Sequence, residues 1–349
     1  MKLLKFLCLI HLSAIVASTY PLRKCAQDPE NLWLDIVIVV ENSRNVTNDK
    51  LAVVTANIID LFGATPRIGT NYDDPRSTRV ALVTFNKDAT VVADLDRFQS
   101  QYDLFINTRD SLSSVAETLE SNLDLGIQAA EQVLLSGRSN GYRSNYQQVV
   151  IYYGTEMIYS NPTVLQLESN NIMVLSANIG HTEAGSNFSF KSRLFDANCF
   201  CKSSWSPFKT IDEDVCVQVQ KGLTRWESAV FFCEELDDYS TIVTEFTYNK
   251  HYFVVELVKE ATGRYSNYYI GLNNLTDSWV WQQRKGQENI PLEQTFTHWN
   301  PGYPRSSSIL QKVANKPRRN QDLGWENTNS PALNYVCETR MCDTSNYCP

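Results

Sequence analysis

The run Asp35-Ile36-Val37-Ile38-Val39-Val40 constrains the fold more than any other stretch of the chain. Consecutive β-branched residues leave no polar face, so a strand made from them is buried on both sides. Such strands belong to parallel sheets covered by helices on each face. The residues that follow repeat this logic. Asn48 to Phe62 has helical spacing, with apolar side chains at Leu51, Val54, Ile58, Ile59 and Phe62. Arg79 to Phe85 reads as the next strand, with an edge strand near Thr90 to Leu95. Ser121 to Leu135 reads as a helix with Leu125, Ala129, Gln132 and Val133 on neighbouring turns. Gln148 to Tyr153 and Ile172 to Ile179 are two further strands. Asn161-Pro162 between them has the form of an N-cap followed by proline at the first helical position. Alternation of this kind predicts right-handed crossovers and a doubly wound α/β sheet.

The chain has 349 residues, more than the roughly 250–300 at which single cores stop growing. Two domains are therefore expected, and the character of the sequence changes near Asn198-Cys199-Phe200-Cys201. Beyond this point a helix is predicted over Thr224 to Leu236, with Trp226, Ala229, Val230 and Cys233 on one face. A second covers Asn249 to Ala261. Later segments are short and rich in turns: Tyr268 to Leu272, Trp279 to Gln282, and Tyr335 to Glu338. The pattern fits an α+β domain held by disulfides.

Lys2 and Lys5 precede an apolar run from Phe6 to Val16, and the small residues Ala17 and Ser18 follow. This is the layout of a secretory signal peptide over residues 1–18. The run is too short to span a bilayer, no later stretch is apolar enough, and the end of the chain is no lipid-anchor signal. The mature chain is expected to be secreted and extracellular. Of nine cysteines, Cys8 leaves with the signal, and an even set in an exported chain reads as disulfides. Asn45, Asn187 and Asn274 head glycosylation sequons. The net charge of −8 argues against nucleic acid or anionic membrane as partner.

No catalytic constellation stands out. The sequence has no Gly-x-Ser-x-Gly, no His-Glu-x-x-His and no phosphate loop. His181, His251 and His298 have no ligand spacing between them, and cysteines held in disulfides offer no thiol nucleophile. The acid pairs Glu234-Glu235 and Asp237-Asp238 sit at a helix end, where solvated charge is ordinary. The expectation is a binding protein, not an enzyme.

Leu34-Asp35-Ile36-Val37-Ile38-Val39-Val40-Glu41-Asn42-Ser43 resembles the von Willebrand factor A family, and the resemblance covers residues 25–199. Residues 201–338 resemble the C-type lectin-like family. The markers are Trp226-Glu227-Ser228-Ala229 with Cys233, Tyr269-Ile270-Gly271-Leu272, Trp279-Val280-Trp281, Trp299, Trp325 and Tyr335-Val336-Cys337-Glu338. The combination is similar to secreted lectin-like proteins of nematodes. The fold class implied is an α/β doubly wound A-type domain followed by an α+β C-type lectin-like domain, with a cysteine-containing tail at residues 339–349. The interval between Ile179 and Cys199 is too short for the family's final helix, strand and helix. A shortened sheet is therefore expected, or a last helix running straight into Cys199. The resemblance implies the bridges Cys201–Cys216 and Cys233–Cys337. Cys25–Cys199 would clamp the ends of the first domain, and Cys342–Cys348 are paired in the tail. Trp226 and Ala229 would face the lectin core, and Gly271 would allow close backbone approach.

Each family implies an ion site, and the residues depart from both. An A-type domain holds magnesium with an Asp-x-Ser-x-Ser loop, a hydroxyl from a second loop and an Asp from a third. Here Glu41 replaces the Asp, Ser43 is kept, Asn45 replaces the second serine, Ser121 supplies the hydroxyl, and Tyr153 stands near the third position, with Glu156 a few residues late. Magnesium requires short, near-octahedral oxygen ligation, so a changed ligand length matters. A sugar-binding lectin domain holds calcium with Glu-Pro-Asn or Gln-Pro-Asp and with Trp-Asn-Asp. These fall on Tyr303-Pro304-Arg305 and Trp325-Glu326-Asn327, where oxygens are lost or reordered. The inner loop bridge of that family is missing, with Ser330 at its last cysteine position, so a mobile loop is expected from Asn300 to Gln321. Neither calcium nor magnesium is expected.

The ligand-binding candidates are Trp299, Tyr303, Arg305, Arg318, Arg319 and Trp325, the arginines lying in a basic loop with Lys312 and Lys316 that could attract anionic glycans. The function expected is recognition of an extracellular glycan or protein without a bound metal, in innate defence. The alternatives are an adhesion protein that binds a protein partner through the A-type domain, and a calcium-dependent lectin.

Overall fold

The computed structural model describes residues 23–179, 190–317 and 323–349. The predicted signal peptide, the sequon at Asn187, and Arg318 and Arg319 lie outside the described residues. The chain divides into two compact units. One comprises residues 24–207, 214–216 and 340–349. The other comprises Arg23 with residues 208–213 and 217–339.

The first unit is built on β1 (Leu34–Glu41), whose eight residues are all buried. After it come α1 (Asn48–Phe62), β2 (Arg79–Phe85), β3 (Ala89–Ala93), α2 (Gln101–Ser111), α3 (Leu123–Ser136), β4 (Gln147–Gly154), α4 (Pro162–Ser169), β5 (Met173–Asn178) and α5 (Lys191–Ala197). The sheet order is β3-β2-β1-β4-β5, parallel except for β3 at one edge. Alternate side chains of β1 feed two cores. Ile36, Ile38 and Val40 pack with Leu51, Val54 and Ile58 of α1. Val37 and Val39 pack with Ile127, Ala130 and Leu134 of α3. Helix starts are set by side-chain caps: Thr47 accepts from the Lys50 N–H, Asn122 from Leu125 and Asn161 from Val164.

Helix α2 escaped the sequence reading because it buries only Leu104 and Thr108, too few apolar positions for a periodic signal. The sheet has five strands, and α5 leads directly to Cys199, which is bridged to Cys25. The C-terminal tail is part of this unit. Trp33 packs against Tyr146, Phe200 and Tyr347, and its Nε1 donates to the Asp343 carbonyl at 2.9 Å. The bridges Cys342–Cys348 and Cys201–Cys216 also belong here.

In the second unit, helices α6 (Trp226–Glu234) and α7 (Tyr248–Thr262) accompany short strands. The strand Tyr268–Asn273 pairs antiparallel with Val280–Trp281 and Lys312–Pro317, and parallel with Leu333–Arg340. Lys312–Pro317 pairs in turn with Leu323–Thr328. A Cβ on Gly271 would stand 3.2 Å from the Val243 carbonyl oxygen, a tight contact that would push the neighbouring backbone aside by a few tenths of an ångström. Trp226 is buried and donates from Nε1 to the Ile270 carbonyl, and Cys233 is bridged to Cys337.

A buried charge cluster ties this unit together. The Lys250 ammonium, fully enclosed, bonds Glu213 Oε1 at 2.6 Å and also Glu338 Oε2. Arg23 Nη1 reaches Glu338 Oε1 at 2.6 Å, and Thr244 donates to the same oxygen at 2.8 Å. Burial pushes the Glu338 carboxyl up, but Arg23 and Lys250 outweigh it and hold its pKa at about 2.

Candidate functional site

At the C-terminal end of β1, Glu41 is fully buried and both its oxygens are engaged. Ser43 Oγ donates to Oε1 at 2.6 Å. The Thr155 N–H and Oγ1 each donate to Oε2 at 2.7 Å. The longer Glu side chain thus spans from β1 to the loop after β4. The segment before α3 closes over the same edge. Ala116 N–H donates to the Asn42 carbonyl at 2.7 Å, Arg44 N–H to Thr118 at 2.8 Å, and Asn45 Nδ2 to Leu119 at 2.9 Å. Ser121 keeps a buried hydroxyl without a partner. Tyr153 does not belong to this edge. Its ring packs against Phe190 and its hydroxyl donates to Asn57 Oδ1. Thr155, which the sequence reading passed over, supplies the third-loop contact. Glu156 is exposed nearby, and partial burial, then the Glu41 and Asp124 charges, raise its pKa.

Magnesium requires about six oxygens converging at roughly 2.0–2.1 Å. Here the one buried carboxylate is spent on protein donors, and the amide of Asn45 turns to a backbone carbonyl. The residues present do not fit the ion.

The lectin edge is closed by comparable means. Asn327, 3% exposed, accepts the Arg305 N–H on Oδ1 at 2.8 Å. Its Nδ2 donates to the Arg305 and Leu310 carbonyls, both at 2.8 Å. Glu326 Oε1 accepts from Asn300 Nδ2 at 2.9 Å, and its Oε2 faces the Lys316 ammonium at 3.5 Å. The Arg305 guanidinium stacks on the Tyr303 ring at 4.6 Å. Burial, then the hydrogen bond to Glu326, raises the Tyr303 pKa. Calcium takes 6–8 oxygens at about 2.3–2.6 Å. An internal ammonium and a fully used amide occupy its two best donors, so the residues do not fit calcium.

Two sequence expectations need correction. Trp325 has no accessible surface and cannot touch a ligand. It is a core residue whose Nε1 donates to Glu245 Oε2 at 2.7 Å. Trp299, by contrast, is only half-buried, packing edge-on against Trp279 and Trp325 with ring centroids 5.1 and 5.7 Å apart, and is not overturned as a candidate. The segment expected to be mobile contains the strand Lys312–Pro317, and Asn327 fastens its earlier part. Two members of the basic loop are also matched locally, Lys312 to Glu227 and Lys316 to Glu326. Of the ligand candidates among the described residues, Trp299 and Tyr303 are half-buried and Arg305 is exposed. Asn45 is exposed and Asn274 half-buried at the two described sequons.

Sequence reasoning missed Glu245. This fully buried carboxylate accepts from Trp325, from Tyr268 Oη at 3.1 Å and from Asn315 Nδ2 at 2.8 Å, and it meets His251 Nδ1 at 2.8 Å. Its partners are scattered along the chain, so no local pattern announces it.

Comparison with known proteins agrees with this architecture. The von Willebrand factor type A domain family matches residues 35–194, and the Lectin C-type domain family matches residues 223–339. C-type lectin domain-containing protein 160 of Caenorhabditis elegans is 24% identical over 384 residues, covering 93% of this chain and 56% of that protein. The chain thus spans little more than half the length of that relative. Snaclec alboaggregin-B subunit alpha of Trimeresurus albolabris is 32% identical over 147 residues, covering 41% of this chain and 81% of its own. Human lithostathine aligns with 40% of this chain and 99% of its own at 19% identity, with a TM-score of 0.33. Both matched domain types are generally non-catalytic binding domains. The chain belongs to the C-type lectin family and carries a von Willebrand factor type A domain ahead of its lectin domain.

Proposed function

We propose that this is a secreted recognition protein of innate defence that binds a glycan or protein ligand without a bound metal. The observation that carries the reading is the Asn327 amide, which spends its oxygen and its nitrogen on the Arg305 and Leu310 backbone. A residue held this way contributes loop shape instead of ion ligation. The exposed Arg305 beside Tyr303 then offers a cation and a ring edge to a ligand. Four disulfides and the lectin relatives support an extracellular setting. The test is a glycan array run with the full chain, with and without a calcium chelator. Sugar hits unaffected by the chelator support the reading. Hits abolished by it contradict the reading, and no hits at all favour a protein ligand.

A further inference from the structure

The first unit has a polar cleft of about 300 Å³ at the N-terminal end of its sheet, opposite the edge that bears Glu41. It falls within the size range of small-ligand sites. Its wall is aromatic, formed by Tyr72, Tyr142, Tyr146 and Tyr347. Tyr142 is 51% exposed, so its ring is open to a ligand. Asn145 stands beside them, donating to Tyr347 Oη at 3.0 Å and to the Cys348 carbonyl at 2.8 Å.

Beneath this wall lies a surplus of positive charge. Asp35, fully buried, accepts from Arg79 Nη2 at 2.7 Å and from Arg143 Nε at 2.9 Å. Arg138 stands in the same electrostatic cluster, and its Nε and Nη2 are buried without a hydrogen-bond partner. Arg79 and Arg143 thus pair with one buried carboxylate, Arg79 pairing also with Asp96, which is 67% exposed, while Arg138 feels the Asp35 charge without an ion pair of its own among the described residues. Two of them underlie the tyrosines: Arg79 at 5.2 Å from the Tyr142 ring and Arg143 at 3.4 Å from the Tyr146 ring. The acid that lines the cleft, Asp74, is already matched by Arg76 at 2.7 Å.

We propose that this cleft binds an acidic saccharide, with the exposed Tyr142 ring stacking on the sugar and the arginine surplus compensating its charge. An aromatic face with an adjacent amide suits a pyranose ring, while unmatched buried cationic charge favours an anionic substituent. A neutral sugar would leave that charge uncompensated, and a bare anion would leave the Tyr142 ring unused.

Titration calorimetry on the full chain tests this with a sulfated heparin disaccharide, its desulfated counterpart and inorganic sulfate. The sulfated disaccharide is expected to bind at least about tenfold more tightly than either other probe. Tyr142→Ala and Arg138→Gln should each weaken it by about tenfold or more, while Arg305→Ala leaves it unchanged. Tyr142→Ala guards against a folding artefact, because it trims a half-exposed ring. Absence of binding overturns the proposal, as does equal affinity of wild type and Tyr142→Ala, or sulfate binding as tightly as the disaccharide. Loss with Arg305→Ala alone would move the site to the lectin edge and likewise overturn it.

Discussion

Asn327 and Arg305 are joined by a reciprocal pair of hydrogen bonds, amide oxygen to backbone N–H and amide nitrogen to backbone carbonyl, each at 2.8 Å. This pairing makes Asn327 a loop fastener. Asn327→Asp tests that role. Aspartate adds a charged oxygen but removes the donor to both carbonyls. Leaving buried acceptors unmet costs about 1–3 kcal/mol, so the variant should unfold at lower denaturant concentration. Calcium should not restore it. Calcium-dependent recovery of stability would contradict the account.

Glu41 plays the corresponding part in the A-type domain. Glu41→Gln keeps the side-chain length but places an amide nitrogen against donors. With Thr155 and Ser43 no longer both served, a loss of about 1–3 kcal/mol is expected in urea unfolding. Thr155→Val should destabilise in the same direction by about 1 kcal/mol. Unchanged stability in both would mean that this clamp is not a structural element.

The buried cluster around Glu338 predicts an acid-sensitive lectin domain. Its folded pKa, about 2, lies below the ordinary value of 4.5. The stabilisation is therefore complete above the ordinary value and is lost as pH falls from there toward the folded one. Lys250→Met removes the cation that lies between Glu213 and Glu338. Breaking a buried pair in this way costs about 3–5 kcal/mol. A pH series of thermal unfolding on both proteins would show this. A wild-type profile flat over that interval would refute it.

Trp325→Phe separates a core role from a ligand role. Phenylalanine fills much of the volume but leaves Glu245 without its 2.7 Å donor. A stability loss of about 1–3 kcal/mol is expected, with glycan affinity unchanged once the protein is folded. Lost affinity at full stability would return Trp325 to the binding surface.

The sheet of the first unit was legible because burial on both faces leaves an unbroken β-branched signature, as in Ile36 to Val40. Helix α2 was not, because a helix with two buried residues has almost no period to read. At the sites, the sequence pointed to positions whose residue types depart from those the family resemblance implies. It could not show what those residues do instead. Glu41 with Thr155 and Asn327 with Leu310 pair across loops whose approach only the fold determines. The burial of Trp325 was hidden for a related reason. Its acceptor, Glu245, lies eighty positions away on the chain.

The most direct test of the central claim is calorimetric titration of Ca²⁺ and of Mg²⁺ into the full chain at neutral pH. Heats no greater than dilution are predicted for both ions. A saturable isotherm with micromolar Kd, for either ion, would contradict the account.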